Sequence, residues 1–129
     1  MIVVEDGYEL RRLIDQRIEE QSPNCDLNDI DVSRVTDMSN LFRNTIFNGD
    51  ISQWDVSNVT SMYGMFMNSR FNGDISAWDV SKVENMISMF ESSRFKGDLS
   101  RWNVSNVEYM DCMFLSSPLE GSEPSWYKD

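Results

Sequence analysis

The sequence contains no histidine, which removes the residue on which much enzyme chemistry depends. Histidine is the commonest general acid or base, the usual partner of serine and cysteine nucleophiles, and a frequent zinc ligand. Glycine is also scarce, and its six residues stand singly rather than in a loop that could hold a phosphate group. We therefore expect no enzymatic activity, no catalytic residues and no cofactor.

Long apolar runs are absent as well. No window approaches the ~20 apolar residues of a membrane-spanning helix, and the first residues, MIVVEDGYELRR, lack the basic start and cleavage site of a secretory signal. We expect no insertion into a membrane and, if the chain is complete, a cytoplasmic location. A trimmed chain would look the same, so the sequence leaves the location open.

Basic residues are few: the chain has 11 basic and 22 acidic residues, which give a net charge of -11 at pH 7. This charge would repel a phosphate backbone, so we expect no direct binding to nucleic acid. A hydrophobic content of 40% and an aromatic content of 12% favour a folded chain over a disordered one. The length of 129 residues suits a single domain.

The chain does contain a 24-residue repeat. The string NGDISQWDVSNVTSMYGMF, which ends at Phe66, returns as NGDISAWDVSKVENMISMF, which ends at Phe90, and as KGDLSRWNVSNVEYMDCMF, which ends at Phe114. A weaker first copy, CDLNDIDVSRVTDMSNLF, ends at Phe42. Such a period is typical of a solenoid, in which each unit buries its apolar side against its neighbours. The repeats predict three regions: an N-terminal cap at 1–24, four units at 25–114, and a C-terminal cap or tail at 115–129.

Each copy reads as a short strand followed by a short helix. Val59, Met62, Met65 and Phe66 have the spacing of one helical face, and Ser57 precedes them as a helix N-cap. The segment GDISQWDV alternates in polarity around Ile51, which is typical of a strand. We therefore predict an α/β solenoid of the leucine-rich-repeat type, with about four strand-helix repeats and a parallel sheet.

The N-terminal cap should contain a strand at residues 2–4 and a helix that begins at Asp6. Asp6 and Glu9 form a capping signature, and the helix that follows carries Leu10, Leu13, Ile14 and Ile18 on one face. The two cysteines, Cys25 and Cys112, occupy different repeat positions three copies apart. About 14 Å would separate them, beyond the roughly 7 Å limit for a disulfide, so we expect free thiols.

The strings FNGDISQWDVSNVTSMYGMF and FNGDISAWDVSKVENMISMF resemble the repeats of the BspA-like leucine-rich repeat proteins, whose repeat domain of unknown function was first noted in mycoplasma lipoproteins. The resemblance covers roughly residues 25 to 114 and is specific at the W-D-V-S-N-V and M-F cores. It implies a leucine-rich-repeat solenoid. Since family members are often bacterial surface proteins implicated in adhesion, it also implies a role in binding proteins. This chain is shorter than those members, and we expect it to have no export signal or anchor.

Acidic residues recur at two positions of the repeat. One column consists of Asp26, Asp50, Asp74 and Asp98, and a second of Asp31, Asp55, Asp79 and Asn103. Two readings compete for the first column: its carboxylates accept hydrogen bonds from nearby backbone N–H groups, or they bind a divalent cation or a basic partner. The second column reads as local capping. A third column, Trp54, Trp78 and Trp102, has Ile30 in the first copy, which favours a place in the core over a ligand platform.

The positions that vary between copies indicate where a partner could bind. Two such columns supply the predicted contact residues, which are Tyr63, Ile87 and Asp111 in one and Met67, Glu91 and Leu115 in the other. We expect a monomeric, non-catalytic module that binds another protein. One alternative is a small acidic inhibitor or nucleic-acid mimic that blocks a basic site on an enzyme. Another is a structural repeat that a cation stabilises through the first aspartate column.

Overall fold

The structure, a computed structural model, describes residues 1–128, so Asp129 of the predicted C-terminal segment 115–129 lies outside the described residues. The regular elements of the described part are strand β1 (Ile2–Val3), helix α1 (Gly7–Glu20) and strand β2 (Ile30–Asp31). Strands β1 and β2 are parallel, with Ile2 paired to Ile30 and Val3 to Asp31. Turns and isolated bridges account for about half of the remaining described residues.

The predicted helix of the N-terminal segment is confirmed. Helix α1 begins after Asp6, whose carboxylate accepts a hydrogen bond from the N–H of Glu9 at 2.9 Å. Leu10 and Ile14 on its inner face are completely buried, while Leu13 and Ile18 are partly buried against the same core. The capping differs from a reciprocal box in one contact, because the Glu9 carboxylate accepts from the N–H of Glu5 rather than from that of Asp6.

The predicted leucine-rich-repeat-like solenoid of four strand-helix units is wrong. Across residues 1–128, α1 is the one helix, and the two paired strands, β1 and β2, are two residues long each. The predicted repeat helices are series of turns in which Gly64, Asn68, Ser88 and Ser92 have positive φ, between 53° and 58°. Residues with positive φ do not fit into a right-handed α-helix. In the predicted strands, the N–H of Trp54 bonds to the carbonyl of Ile51, which closes a local turn.

Hydrogen bonds between successive copies take the place of helical ones. The N–H groups of Met62, Gly64, Phe66 and Asn68 donate to the carbonyls of Asn85, Ile87, Met89 and Glu91, at 2.8 to 2.9 Å. The equivalent groups of the first and third copies bond in the same way to the second and fourth. We call this arrangement the ladder. Because all of these N–H groups point toward the next copy, they are unavailable for the i to i−4 bonds of an α-helix.

Three columns of stacked aromatic rings form the centre of the core. The first column is Phe42, Phe66, Phe90 and Phe114, with centroids 5.4 to 5.7 Å apart, and the second is Phe47, Phe71 and Phe95, at 6.1 to 6.2 Å. The third column contains Trp54, Trp78, Trp102 and Trp126. Val59, Met62 and Met65 of the predicted helical stripe are fully buried beside these rings.

The tryptophans lie in the core, as the sequence predicts. Trp54, Trp78 and Trp102 are each 4% exposed, and each indole N–H donates to a carbonyl 27 residues earlier, at 2.9 to 3.1 Å. Trp126 makes the same bond to the carbonyl of Leu99 at 2.8 Å. The segment after Phe114 therefore continues the tryptophan column of the repeat, although its sequence otherwise departs from the pattern.

The two ends of the ladder differ. At the first copy, helix α1 covers the stack, and the Arg11 guanidinium donates to the carbonyl of Leu41 at 2.9 Å. The equivalent carbonyl in the next copy, that of Met65, accepts the N–H of Phe42 from its preceding copy. Arg11 thus supplies the donor that a preceding copy would supply. At the last copy, no acceptor among residues 1–128 pairs with the N–H groups of Met110, Cys112, Phe114 and Ser116.

Candidate functional site

The ladder aligns the six predicted contact residues in two columns. Their carbonyl oxygens all accept N–H groups from the preceding copy, so their backbones are held in register. One column holds Tyr63, Ile87 and Asp111, and the other, four residues further along each copy, holds Met67, Glu91 and Leu115. We call these two columns, together with Tyr109, the ladder face.

Several apolar side chains of the ladder face are exposed to solvent. Tyr63 is 37% exposed and Leu115 is 46% exposed, whereas Ile87 and Met67 are half-buried. Tyr109, at 52%, is more exposed than either, and sequence reasoning missed it. Its position reads Asp37, Ser61, Asn85 and Tyr109 in the four copies, which are joined by parallel bridges. The variation at that position was the signal that could have identified it.

The backbone of the ladder face is a chain of tight turns. The N–H of Met65 bonds to the carbonyl of Met62, and the third residue of this turn, Gly64, has φ 58°. Positive φ at that position is the mark of a type II turn. Asn40, Ser88 and Cys112 occupy the equivalent positions with φ between 56° and 61°. The side chains beside these turns are therefore presented from a backbone that two sets of hydrogen bonds hold in place.

The first aspartate column is engaged in local backbone bonds. In Asp26, Asp50, Asp74 and Asp98, one carboxylate oxygen accepts the N–H of the residue two positions on, at 2.8 to 2.9 Å. The hydroxyl and N–H of Ser76 lower the pKa of Asp74, and the N–H and hydroxyl of Ser100 lower that of Asp98. Within residues 1–128, no group of three or more acidic or cysteine side chains is arranged to hold a metal ion.

The second acidic column has the same geometry. Asp31, Asp55, Asp79 and Asn103 each accept the N–H of the serine two residues on, at 2.9 to 3.1 Å. The hydroxyl of Ser81 lowers the pKa of Asp79, and its N–H adds to the effect. The backbone N–H of each serine donates to a preceding side chain, so the N-cap role predicted for Ser57 and its equivalents in the other copies is wrong. The two columns are turn-forming devices repeated once per copy.

The two cysteines are free thiols, as the sequence predicts. Cys25 is buried in the first copy, and burial raises the pKa of its thiol. Cys112 is exposed beside the ladder face. Their environments therefore differ, and no disulfide joins the first copy to the last.

Two concave regions lie outside the predicted sites. One, of about 750 Å³, lies where the start of α1 meets the first copy and is lined by Tyr8, Arg12, Asp37 and Ser39 among others. The other, of about 640 Å³, crosses several copies, and we call it the basic groove. Its walls include Asn48, Arg70, Asn72, Arg94 and Lys96. Sequence reasoning missed it, although arginine recurs at one repeat position in Arg70 and Arg94.

Comparison with known proteins identifies a family for the chain. A family model described as "Mycoplasma protein of unknown function, DUF285" matches residues 11–125. No curated protein and no solved structure is significantly similar to the chain. Over the described residues, no helix has both the length and the apolar character needed to cross a membrane.

Proposed function

The chain belongs to DUF285, a family of Mycoplasma proteins of unknown function, and we propose that it is a non-catalytic module that binds another protein through its ladder face. The observation that supports this proposal is the alignment of variable positions in two columns of an otherwise repeated backbone. Exposed apolar groups in such a place are typical of a contact surface for a macromolecule.

The composition of the ladder face supports a protein as the partner. Tyr63 and Tyr109 are exposed aromatic residues, and tyrosine is enriched where protein interfaces bury their central contacts. Leu115 adds an exposed aliphatic group at the same surface. A monomer that presents this face to a partner needs no conformational change, because the ladder already fixes the backbone.

A role in adhesion belongs to the same proposal. The repeats resemble those of BspA-like proteins at the W-D-V-S-N-V and M-F cores, and such proteins are often found at bacterial surfaces. The resemblance supports binding to a host or cell-surface protein. It does not depend on the arrangement of strands and helices, because the contact residues lie on the ladder face.

A capture experiment with matched variants tests the proposal. The chain is immobilised and exposed to extracts of mycoplasma cells and of host cells, and captured proteins are identified by mass spectrometry. We expect at least one protein to be retained by the unaltered chain and lost with Tyr63→Ala and with Leu115→Ala. Tyr8→Ala is the control, since Tyr8 is an exposed residue of α1, 88% exposed, that lies outside both the ladder face and the basic groove. If Tyr63→Ala and Leu115→Ala retain the captured protein as well as the control does, the ladder face is not the binding site.

The same experiment at several salt concentrations distinguishes binding through the ladder face from the acidic-inhibitor alternative. A nucleic-acid mimic would bind its enzyme through charge, so its capture should fall steeply as salt screens the acidic residues. Binding through the ladder face should persist, because apolar contacts are not screened. A partner that is released by salt and is unaffected by Tyr63→Ala would favour the inhibitor.

A further inference from the structure

We propose that the basic groove binds a pair of tetrahedral oxyanion groups, phosphate or sulfate, through Arg70, Arg94 and Lys96. The groove is a local exception in a chain with a net charge of -11. Its three charged lining residues are all basic, and no acidic residue lines it. The proposal goes beyond binding at the ladder face and concerns different residues.

The side chains of the three cations have no ion-pair partner among residues 1–128. Arg70, Arg94 and Lys96 are exposed, and within residues 1–128 none of them forms an ion pair. By contrast, Arg11, Arg17 and Arg34 are all paired with carboxylates. The groove therefore keeps its positive charge available even though acidic residues are twice as common as basic ones in the chain.

The repeat holds the two arginines side by side. The N–H of Arg70 bonds to the carbonyl of Thr45 and that of Arg94 to the carbonyl of Ser69, so they occupy the same position in adjacent copies. Each precedes a ring of the second aromatic column, and those rings, of Phe71 and Phe95, are 6.2 Å apart. Like charges at the same position of adjacent copies repel each other, and an anion bound between them would remove the repulsion.

Asn48 and Asn72 offer hydrogen-bond donors to a ligand, because their side-chain oxygens are already engaged. The side-chain oxygen of Asn48 accepts the N–H of Asn72 at 2.8 Å, and that of Asn72 accepts the N–H of Lys96 at 3.0 Å. The NH₂ groups of Asn48 and Asn72 are the groups that remain. With two guanidinium groups and one ammonium group beside them, this part of the groove offers N–H donors to a ligand rich in acceptors.

Tetrahedral oxyanions fit this set better than a carboxylate does. Arginine binds phosphate oxygens with two parallel hydrogen bonds, and lysine adds a compact positive charge. A phosphate or sulfate group has at least three oxygens that can accept bonds from different directions, whereas a carboxylate has two in one plane. Three positive charges in one groove also suit a ligand with two such groups, as in a diphosphate or a disulfated sugar.

Titration calorimetry tests the proposal with three probes at constant ionic strength: pyrophosphate, a disulfated disaccharide and citrate. We expect saturable binding of pyrophosphate or of the disaccharide, at least tenfold tighter than that of citrate, and the tighter of the two identifies the source of the oxyanions. Arg94→Gln should weaken this binding at least tenfold. Arg101→Gln is the matched control, because Arg101 is an exposed arginine that does not line the groove, and it should leave binding unchanged.

Thermal melting separates loss of the site from loss of the fold. The unaltered chain should melt at a higher temperature with the bound probe than without it, and Arg94→Gln should melt normally but show no such rise. The absence of saturable binding, equal binding of citrate, or an equal loss in Arg101→Gln would overturn the proposal. Tyr63→Ala should bind the probe normally, so failure at the ladder face and failure at the basic groove can be told apart.

Discussion

At the scale of single residues, two glycines show how the copies approach one another. A Cβ atom added to Gly49 would lie 1.9 Å from the carbonyl oxygen of Cys25 in the preceding copy, which leaves room for a hydrogen atom only. Gly64 has positive φ, and a Cβ atom there would lie 2.6 Å from the side-chain oxygen of Asn40. The first glycine is required by close packing, and the second by both packing and backbone conformation.

The column that contains Gly64 gives a pair of opposite expectations. Gly64→Ala should lower the free energy of unfolding by about 1 to 3 kcal/mol, because it adds a side chain at positive φ and against Asn40. Cys112→Gly should raise it by up to about 1 kcal/mol, since Cys112 has φ 59° and its side chain is exposed. Urea denaturation measures both. An equal loss of unfolding free energy in the two variants would show that the positive φ does not determine stability at this position.

The hydrogen bonds that serines donate to the first aspartate column predict that the fold loses stability in acid. The hydroxyl and N–H of Ser76 lower the pKa of Asp74 in the folded chain. A carboxyl group with a lowered folded pKa stabilises the fold above its unfolded pKa, about 3.9, and the stability is lost as pH falls through the folded value. Asp74→Asn keeps the acceptor but does not titrate, so its urea midpoint should fall less between pH 7 and pH 3.

A second variant checks the cause of this acid sensitivity. Ser76→Ala removes the hydroxyl that donates to Asp74 at 2.7 Å, so it should also reduce the change in midpoint between pH 7 and pH 3. If the urea midpoint changes equally with pH in the unaltered chain and in both variants, Asp74 does not cause the loss of stability in acid.

At the scale of elements, α1 closes one end of the ladder. Its inner face buries Leu10 and Ile14, and Arg17 forms two hydrogen bonds with Asp29, at 2.6 and 3.0 Å. Arg11 reaches the carbonyls of Asn40 and Leu41 at 3.2 and 2.9 Å. The helix therefore contributes apolar cover and also the donor that the carbonyl of Leu41 would otherwise lack.

Neighbouring arginines on α1 provide a test of this role. Arg11→Ala should lower the free energy of unfolding by about 1 to 2 kcal/mol, because the carbonyl of Leu41 loses its donor. Arg12→Ala should have almost no effect, since Arg12 is an exposed residue of the same helix. Denaturation in urea measures the difference. Similar values for the two variants would mean that Arg11 does not act as an end cap.

At the scale of the whole molecule, the aromatic columns connect the copies through nearest neighbours. Phe66 stacks on Phe42 at 5.4 Å and on Phe90 at 5.5 Å. Phe114 stacks on Phe90 at 5.7 Å, and beyond it lie Trp126 and Tyr127 rather than another phenylalanine of the column. An inner ring thus has a repeat neighbour on both sides, whereas the last ring has one.

This difference predicts a dependence on position along the stack. Phe66→Ala should lower the free energy of unfolding by about 3 to 5 kcal/mol, as for other large cavities in a packed core. Phe114→Ala should cost less, because stability in a stack of this kind is a sum of contacts between neighbouring copies. Calorimetric melting compares the two. If Phe114→Ala lowers the free energy of unfolding as much as Phe66→Ala or more, stability is not a sum of contacts between neighbouring copies.

The amino-acid sequence by itself determined the 24-residue period, the buried stripe of Val59, Met62 and Phe66, the buried tryptophans and the start of α1. These depend on side-chain polarity and on a local capping contact, which can be read along the chain. The gathering of the six contact residues at two repeat positions also followed from the period.

Only the tertiary structure decided how the backbone of each copy is bonded. A spacing of i, i+3, i+6 and i+7 buries the same side chains in a helix or in a series of turns, so the pattern could not separate them. The N–H groups of Met62 and Gly64 find acceptors in the next copy, at Asn85 and Ile87, and this satisfies the backbone without a helix. The basic groove arises in the same way, because stacking alone brings Arg70 and Arg94 together across 24 residues of chain.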